Sequence, residues 1–204
     1  MDVLVPFAAT DPKTRLADVF TPEERGEFAR TMLRDVCTAI TAAGGSPTVL
    51  STAETDVDQP VVVDDRPLTA AVNARLEPPI AIVMADLALA TPDALADLFT
   101  TDGDIVIAPG LGGGTNALVV RSPDFYTDYH GTSVSDHRRI ASEIGAETVT
   151  VDSFRLAVDI DEPDDLVELA LHGTGEAAAW LDAAGIGIDP DRADERTAVN
   201  RDRR

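Results

Sequence analysis

Short runs of apolar residues alternate along the chain with segments in which apolar residues recur at helical spacing. The runs at residues 3–5, 48–50 and 61–63 have the length and composition of short strands. The run at residues 80–84 is apolar on both faces, which is typical of a central strand with helices on either side of the sheet. The alternation therefore predicts strands that are connected by helices.

The segment after residue 20 has the features of a helix N-terminus. Thr21 can cap the helix, Pro22 suits the first turn, and Glu24 completes a capping box. Gly44 and Gly45 then end the helical pattern. Between these signals, apolar side chains recur every four residues, at Phe28, Met32, Val36 and Ile40.

The rest of the chain repeats this alternation and predicts an α/β domain, with a mostly parallel sheet flanked by helices. We assign the domain to residues 1–188. Residues 189–204 are charged and poor in apolar side chains, so a flexible tail is predicted there. The further helices are predicted at residues 68–76, from residue 91, and at residues 135–144, 163–171 and 176–184; the further strands at residues 104–108, 117–120, 149–151 and 155–160.

The charge balance narrows the range of partners. The chain has 37 acidic and 16 basic residues and a formal net charge of -21, which argues against a nucleic-acid partner. Counted by type, there are 26 Asp, 11 Glu, 15 Arg and one Lys. An acidic, lysine-poor composition is typical of halophilic proteins, because molar salt screens the self-repulsion of such a surface. The alternative is an acidic surface that binds a basic partner.

Cysteine content and hydropathy indicate the compartment. The single Cys37 excludes a disulfide within the chain and a multi-cysteine metal site, and its helical context favours a packed thiol. No apolar stretch reaches the roughly 18 residues of a membrane-spanning helix, and the N-terminus lacks the basic region of a signal peptide. We therefore expect a cytoplasmic protein without a membrane partner.

Ligands of open α/β sheets bind outside the carboxyl ends of the strands, so the loop after the first strand is a candidate site. Lys13, the one lysine of the chain, lies in this loop two residues before Arg15. Two cations there can neutralise a triphosphate and the charge that develops on a pyrophosphate leaving group. The alternative is a pair of solvated surface charges. The loop is not a P-loop, because the glycine pattern of that motif is absent.

Three aspartates follow apolar segments at positions where a magnesium ion can bind. Asp86 ends the apolar run at residues 80–84, and a carboxylate there can hold magnesium or cap a turn. Asp159 and Asp161 are two residues apart, so on a strand they face the same side and repel unless a cation lies between them. Asp161 can instead cap the following helix.

Two polar segments provide candidate phosphate ligands. Residues 112–116 include three glycines and Thr115, and glycine-rich backbone can approach an anion; a hairpin connection is the alternative. Ser133 precedes a predicted helix and can be its N-cap, a phosphate ligand, or both. His130 and His137 lack the spacing and partners of a zinc site.

Taken in order, these segments resemble the 2-phospho-L-lactate guanylyltransferase family over about residues 1–171. The resemblance is carried by six motifs: Lys13-x-Arg15-Leu16-Ala17, Asn73-x-x-Leu76, Met84-Ala85-Asp86, Gly113-Gly114-Thr115-Asn116-Ala117-Leu118, Tyr129-His130-Gly131-x-Ser133-x-x-x-His137 and Asp159-Ile160-Asp161-x-Pro163-x-Asp165-Leu166.

The resemblance implies a nucleotide-diphospho-sugar-transferase-like, Rossmann-like fold and a homodimer. It implies an enzyme that takes GTP and 2-phospho-L-lactate and releases pyrophosphate in coenzyme F-420 biosynthesis; bacterial relatives use phosphoenolpyruvate as the acceptor. The site residues that it implies are Lys13 and Arg15 for catalysis; Asp86, Asp159 and Asp161 for Mg²⁺; Thr115, Gly131 and Ser133 for the substrate phosphate; and Pro6, Lys13, Arg15 and Asn73 for the nucleotide.

Other functions stay open at this stage. The same fold can serve another phosphorylated acceptor, such as phosphoenolpyruvate or a molybdopterin- or sugar-phosphate-type substrate. A GTP-binding module without catalysis and an acidic interaction protein are the alternatives from other classes. The retained Lys13 and the three aspartates argue against both of these.

Overall fold

In the computed structural model, which describes residues 1–188 and 199–201, a seven-stranded sheet forms the centre of the molecule. Its strands are β1 (Asp2–Phe7), β2 (Ser46–Ser51), β3 (Val61–Val63), β4 (Ile80–Val83), β5 (Ile105–Pro109), β6 (Thr115–Val120) and β7 (Thr148–Thr150). They lie in the order β3-β2-β1-β4-β6-β5-β7, and neighbours run parallel except that β6 is antiparallel to β4 and β5. The predicted mostly parallel sheet is confirmed.

The helices cover both faces of this sheet, because its strands alternate their apolar side chains between the two sides. Val3 and Val5 of β1 contact one core cluster, while Leu4 between them belongs to another on the opposite face. The helices are α1 (Pro22–Ala42), α2 (Leu68–Asn73), α3 (Pro92–Thr100), α4 (Ser133–Glu143), α5 (Phe154–Ala157), α6 (Asp165–His172) and α7 (Glu176–Ala183). Helices α1 and α3 contribute to the first cluster, and α2 and α4 contribute to the second. Among the described residues, no helix is long and apolar enough to cross a bilayer.

The long helix α1 begins and ends as its sequence predicts. The amide of Glu24 donates to Thr21 Oγ1 at 3.3 Å, and the amide of Thr21 donates to Glu24 Oε2 at 2.9 Å. Both bonds of the capping box are therefore present. Past the other end, Gly44 has a φ of 81°, a conformation that glycine adopts without steric cost.

The strand predicted at residues 155–160 is wrong. Residues Phe154–Ala157 form the short helix α5, whose turn closes when the amides of Leu156 and Ala157 donate to Ser153 O. The alternate side chains of Leu156, Val158 and Ile160 are buried, which explains the strand-like pattern. However, they pack in the core clusters without pairing to a strand, and the segment joins the sheet edge through bonds from Ile160 N to Asp86 O and from Asn116 Nδ2 to Leu156 O.

The predicted C-terminal tail lies largely outside the described residues. Of residues 189–204, the structure describes Val199–Arg201, which form strand β9. This strand pairs antiparallel with β8 (Ile186–Ile188). The backbone of these three residues is therefore paired, although they lie within the predicted tail.

Candidate functional site

Polar side chains from distant parts of the chain meet at the carboxyl ends of β1 and β4. The loop after β1 turns back at Lys13, whose φ of 54° is rare for a residue with a side chain, and continues as a 3-10 turn at Thr14–Leu16. The buried Arg25 of α1 donates to Asp11 Oδ1 at 2.7 Å and to Pro12 O at 3.4 Å, so the helix holds this loop.

The ammonium group of Lys13 lies between two aspartates. Lys13 Nζ is 2.7 Å from Asp86 Oδ2 and 2.7 Å from Asp161 Oδ1. Burial by itself lowers the pKa of Lys13, but the charges of Asp86 and Asp161 outweigh it, so the pKa stays above its ordinary value. The lysine is therefore a fixed, buried positive charge and not a solvated surface cation.

Arg15 adds a second cation on the solvent side of the same aspartate. Its Nη1 atom is 3.3 Å from Asp161 Oδ2 and 3.8 Å from Glu162 Oε1, and its side chain is 65% exposed. Asp161 consequently uses both oxygens on these cations and does not cap α6. The amides of Asp161 and Glu162 instead donate hydrogen bonds to Asp165 Oδ2.

Asp159 is the third aspartate of this edge, and its surroundings disfavour its negative charge. Burial, together with the negative charge of Asp86, raises the pKa of the Asp159 carboxyl, while a 3.2 Å hydrogen bond from Asn116 Nδ2 partly offsets the rise. Asp86 Oδ1 is buried and has no hydrogen-bond partner among the described residues. A cation between Asp86 and Asp159 would satisfy the first carboxylate and relieve the repulsion at the second.

The predicted three-aspartate metal site is not assembled in this arrangement. Within residues 1–188 and 199–201, no group of three or more His, Cys, Asp or Glu side chains is placed to hold a metal ion. The physical reason is that Lys13 Nζ already bridges Asp86 and Asp161. The structure thus brings the three aspartates to one edge of the sheet without forming a shared ligand cage.

Thr115, Ser133 and His137 form a buried network at the start of β6. The amide of Thr115 donates to Ser133 Oγ at 2.8 Å, so Ser133 ties β6 to α4 and does not act as the N-cap. His137 Nε2 accepts the Asp128 amide at 3.0 Å, and Thr115 Oγ1 is 2.8 Å from His137 Nδ1.

The tautomer of His137 follows from these bonds. Since Nε2 accepts, the neutral ring carries its proton on Nδ1 and donates it to Thr115 Oγ1. Burial lowers the pKa of His137 to about 4, so the ring is neutral near pH 7. Ser133 Oγ also donates to Thr115 Oγ1, at 3.3 Å. The hydroxyl proton of Thr115, which is 3% exposed, therefore has no acceptor within the network.

Two cavities adjoin the aspartates. The first has a volume of about 320 Å³; Lys13, Asp86 and Asp161 line it together with apolar side chains, and Pro6 is part of its wall. The second has a volume of about 230 Å³ and is lined by Arg15, Asp159 and Asp161 and by the loop at Gly112. Asp161 belongs to both walls, so the two cavities meet at the charged cluster.

The glycine-rich loop is the connection between the antiparallel strands β5 and β6, as the hairpin interpretation proposed. Gly110 N donates to Gly114 O and Gly113 N donates to Gly110 O, so these amides are used within the turn. Gly131 has a φ of 51° and lies in the exposed segment before α4, where His130 pairs with Asp128.

Comparisons with known proteins identify the family of the chain. The family model described as "Guanylyl transferase CofC like" matches residues 1–202. The chain belongs to this CofC-like guanylyl transferase family.

Similar proteins support the same family and fold. The chain is 63% identical over 201 residues to a protein of Natronomonas pharaonis named 2-phospho-L-lactate guanylyltransferase, covering 98% of this chain and 99% of the relative. A Halomicrobium mukohataei protein with the same name is 57% identical over 204 residues, covering 98% and 100%. The structure of a putative nucleotide-diphospho-sugar transferase from Desulfovibrio desulfuricans G20 matches with a TM-score of 0.71 at 14% identity, covering 89% of this chain and 94% of that one. The predicted fold of this CofC-like protein is confirmed.

Four predicted site residues of the CofC-like chain line neither cavity: Asn73, Thr115, Gly131 and Ser133. Asn73 Oδ1 accepts the amide of Thr127 at 2.7 Å and the hydroxyl of Thr127 at 2.9 Å, and its Nδ2 donates to Thr127 O at 2.9 Å. In this structure Asn73 therefore anchors the segment before α4 to α2.

Sequence reasoning missed two parts of the site. Asp64 and Arg66, which follow β3, line the first cavity of the CofC-like fold. Asn116 bonds Asp159 and, at 3.0 Å, the carbonyl of Leu156, which holds the segment that carries the aspartates. The one available signal for Asn116 was a polar residue inside an otherwise apolar strand.

Proposed function

We propose that this protein transfers GMP from GTP to 2-phospho-L-lactate. The products are lactyl-2-diphospho-5'-guanosine and pyrophosphate, and the reaction is a step of coenzyme F-420 biosynthesis. The proposal draws on the family membership and on the names of the relatives. The observation that carries it is the buried Lys13, held between Asp86 and Asp161 where the two cavities meet.

The cavities suit two different substrates. The first is large and mostly apolar, with a cation and acids at one part of its wall, which suits a nucleotide base and the phosphates attached to it. The second is smaller and lined by Arg15, four acidic side chains and backbone, so it suits a compact phosphorylated acid only together with a divalent cation. A shared wall at Asp161 brings the acceptor phosphate next to the α-phosphorus of the nucleotide.

The chain contributes positioning and charge to the transfer. An oxygen of the acceptor phosphate attacks the α-phosphorus of GTP, a new P–O bond forms, and the bond to the β-phosphate breaks. Lys13 and Arg15 stabilise the negative charge that develops on the departing pyrophosphate. No protein nucleophile is needed, because the acceptor phosphate is already ionised near neutral pH. Fixed placement of both substrates supplies the rest of the acceleration.

The residues fit a magnesium ion, with Asp86 and Asp159 as its holders. The buried, unpartnered Asp86 Oδ1 and the destabilised charge of Asp159 are the features that a divalent cation would satisfy. Asp161 joins them if Lys13 moves toward the nucleotide phosphates. Magnesium would supply charge neutralisation and orientation of the reacting phosphates.

Thr115 and Ser133 are the candidate ligands of the acceptor phosphate. The free hydroxyl proton of Thr115 and its fixed position beside Ser133 favour an anionic oxygen as the next acceptor. Gly131 lies in the same polar segment and lets the backbone turn beside the site.

Release of pyrophosphate tests the proposed reaction. The protein is assayed in molar potassium chloride with magnesium and GTP, in parallel with 2-phospho-L-lactate, with phosphoenolpyruvate and without an acceptor. Release that depends on 2-phospho-L-lactate supports the proposal. If pyrophosphate is released only with phosphoenolpyruvate, the proposed reaction type stands but the acceptor is phosphoenolpyruvate. A folded protein that binds GTP and releases no pyrophosphate would be a binding module.

Two further features belong to this proposal. The excess of acidic residues supports an enzyme that works in the salt-rich cytoplasm of a halophile. The homodimer that the family resemblance implies is a prediction, and sedimentation velocity in molar salt tests it.

A further inference from the structure

The first cavity contains two charged groups that the transfer of phosphate does not use, Asp64 and Arg66. Arg66 follows strand β3 and lines the cavity together with Asp64, Leu50, Leu68 and Ala71. Its side chain is half-exposed, whereas that of Asp64 is 6% exposed. A half-exposed arginine that lines a cavity together with the apolar Leu50, Leu68 and Ala71 points to a specific polar ligand for that guanidinium.

The guanidinium of Arg66 is held in a fixed orientation. Its Nε donates to Asp64 Oδ1 at 2.8 Å and its Nη2 donates to Asp64 Oδ2 at 2.6 Å, so the pair is bidentate. Asp64 is fixed in turn by Arg75, which also donates to Ala71 O at 3.1 Å. The planar group therefore cannot rotate freely, although the side chain is half-exposed.

This pairing leaves one edge of the guanidinium free. An arginine has five N–H donors, and Asp64 takes one from Nε and one from Nη2. Nη1 makes no recorded bond within residues 1–188 and 199–201. The end of the side chain thus offers two nearly parallel donors, one from Nη1 and one from Nη2.

The position of Arg66 along the sheet suits the base end of a nucleotide. Arg66 follows β3, and Asp86 follows β4, which is three strands away in the order β3-β2-β1-β4. Three spacings between strands amount to roughly 14 Å. An extended nucleotide whose phosphates lie at Lys13 and Asp86 reaches the region of Arg66 with its base.

We propose that Arg66 selects guanine by donating from Nη1 and Nη2 to O6 and N7 of the base, and that Asp64 orients it. This inference rests on the proposed function, which places a GTP in the first cavity. Guanine presents two acceptors, O6 and N7, on this edge, whereas adenine presents a donor and one acceptor. A fixed pair of donors therefore fits guanine and leaves one donor facing the amino group of adenine.

Two other roles for Arg66 make different predictions. A contact to ribose or phosphate would support all nucleoside triphosphates equally. Stacking of the guanidinium on the base would favour purines in general without separating guanine from adenine. The base specificity of Arg66 variants, and not their overall activity, therefore tests the proposal.

The experiment compares kcat/KM for GTP, ATP and 7-deaza-GTP in the wild type, Arg66→Gln and Arg66→Lys. In the wild type, GTP should exceed ATP, and 7-deaza-GTP should fall between them because it lacks one acceptor. In both variants kcat/KM for GTP should fall about tenfold or more while the value for ATP changes little. Lysine keeps the charge but not the two parallel donors, so it should not restore the preference.

Arg30→Gln, an exposed arginine of α1 outside the cavity wall, is the matched control and should keep the wild-type preference. An equal loss for all three nucleotides in Arg66→Gln, or wild-type preference in Arg66→Lys, would overturn the proposal while the transfer reaction stands. If the wild type transfers no nucleotide, the proposed function fails. The affinities of the wild type and the same variants for GTP and ATP then test the role of Arg66 separately. If the ratio of the two affinities is the same in the variants as in the wild type, the proposed role of Arg66 is overturned.

Discussion

At the scale of single residues, the site depends on charges that balance one another in a buried place. Lys13 Nζ contacts two aspartates at 2.7 Å each, while Asp86 Oδ1 is left without a partner among the described residues. A buried carboxylate oxygen without a hydrogen-bond partner lowers the stability of the folded protein. The unsatisfied oxygen therefore supports a functional role for Asp86.

Removing the lysine charge should stop turnover without unfolding the protein. Lys13→Ala leaves Asp86 and Asp161 without their common partner and removes the cation near the leaving group. We expect turnover to fall by about 100-fold or more, as is typical for the loss of one electrostatic contact to a transition state. Asp86→Asn should have a similar effect. Pyrophosphate release measures the loss, and circular dichroism checks the fold.

The exposed Asp58→Asn is the control for the aspartate variant, since it makes the same chemical change outside the cavity walls. Activity near the wild-type level in Lys13→Ala or Asp86→Asn would remove that residue from the site.

His137 should act through Thr115 on acceptor binding. His137→Phe removes the donor to Thr115 Oγ1, which frees the hydroxyl to rotate away from a ligand. A hydrogen bond of this kind is worth about 1 kcal/mol, so we expect KM for 2-phospho-L-lactate to rise by roughly fivefold or more. KM for GTP should stay the same, and His137→Asn should restore part of the effect. An equal rise in both KM values would indicate a general structural role.

The neutral state of His137 predicts a pH dependence of stability. Its pKa is lowered from 6.5 to about 4, so the folded protein binds fewer protons than the unfolded chain in this range. The corresponding stability is present above pH 6.5 and is lost as the pH falls toward about 4. The difference in unfolding free energy between the wild type and His137→Phe should shrink by up to about 2 kcal/mol between about pH 7 and about pH 5. A constant difference from urea titrations would contradict this assignment.

Residue-level sequence reasoning found the charged groups but not all of their contacts. Lys13 and the three aspartates stand out because each is a polar residue after an apolar strand or the one lysine of the chain. The environment of Asn73 could not be predicted, because its partner Thr127 is 54 residues away. The role of Arg66 could not be predicted, because nothing in the sequence distinguishes it from the other 14 arginines and its cavity forms only when β3 pairs with β2.

At the scale of elements, tertiary contacts supply what the local sequence lacks. Helix α7 follows Gly175, which has no side chain for a cap. Asp35 of α1 accepts the amide of Glu176 at 2.9 Å and that of Ala177 at 2.8 Å. An aspartate from a distant helix thus caps α7 and fixes it against α1.

Asp35→Ala should therefore destabilise the protein. The change leaves two amides at the start of α7 without an acceptor, and we expect the free energy of unfolding to fall by about 1–2 kcal/mol. Urea unfolding measures the loss. Asp58→Ala makes the same change at an exposed position outside the helices and should have little effect. If both variants lose the same amount, the cap does not contribute.

The sequence predicted most elements because their local signals agree with the fold. The capping box at Thr21 and Glu24 predicted α1, and the apolar run at residues 80–84 predicted the interior strand β4. The alternation of apolar residues at 155–160 gave a wrong prediction, since alternate burial there arises from packing in the core clusters and not from sheet pairing. Periodicity reports which side chains are buried but not the element that buries them.

At the scale of the whole molecule, the net charge of -21 sets the conditions for folding. In dilute buffer these charges repel one another and weaken the compact state. The screening length falls from about 10 Å at about 0.1 M salt to about 3 Å at about 1 M. The composition therefore predicts a protein that depends on salt.

The melting temperature should accordingly rise with potassium chloride from about 0.1 M to about 1 M, the range over which screening changes most. A variant with Asp56, Asp58 and Asp93 changed to Asn carries less negative charge at exposed positions, so its melting temperature should rise less steeply. Differential scanning fluorimetry measures both curves. Parallel curves, or a wild type that does not respond to salt, would contradict a stability limited by self-repulsion.

The central claim is that an oxygen of the acceptor phosphate attacks the α-phosphorus of GTP. The most direct measurement uses 2-phospho-L-lactate whose non-ester phosphate oxygens are labelled with ¹⁸O, with ³¹P NMR and mass spectrometry of the products. The account predicts an isotope shift on the phosphorus derived from GMP, through the labelled bridging oxygen, and unlabelled pyrophosphate. Label in the pyrophosphate, or GMP formed without a bond to the acceptor, would contradict it.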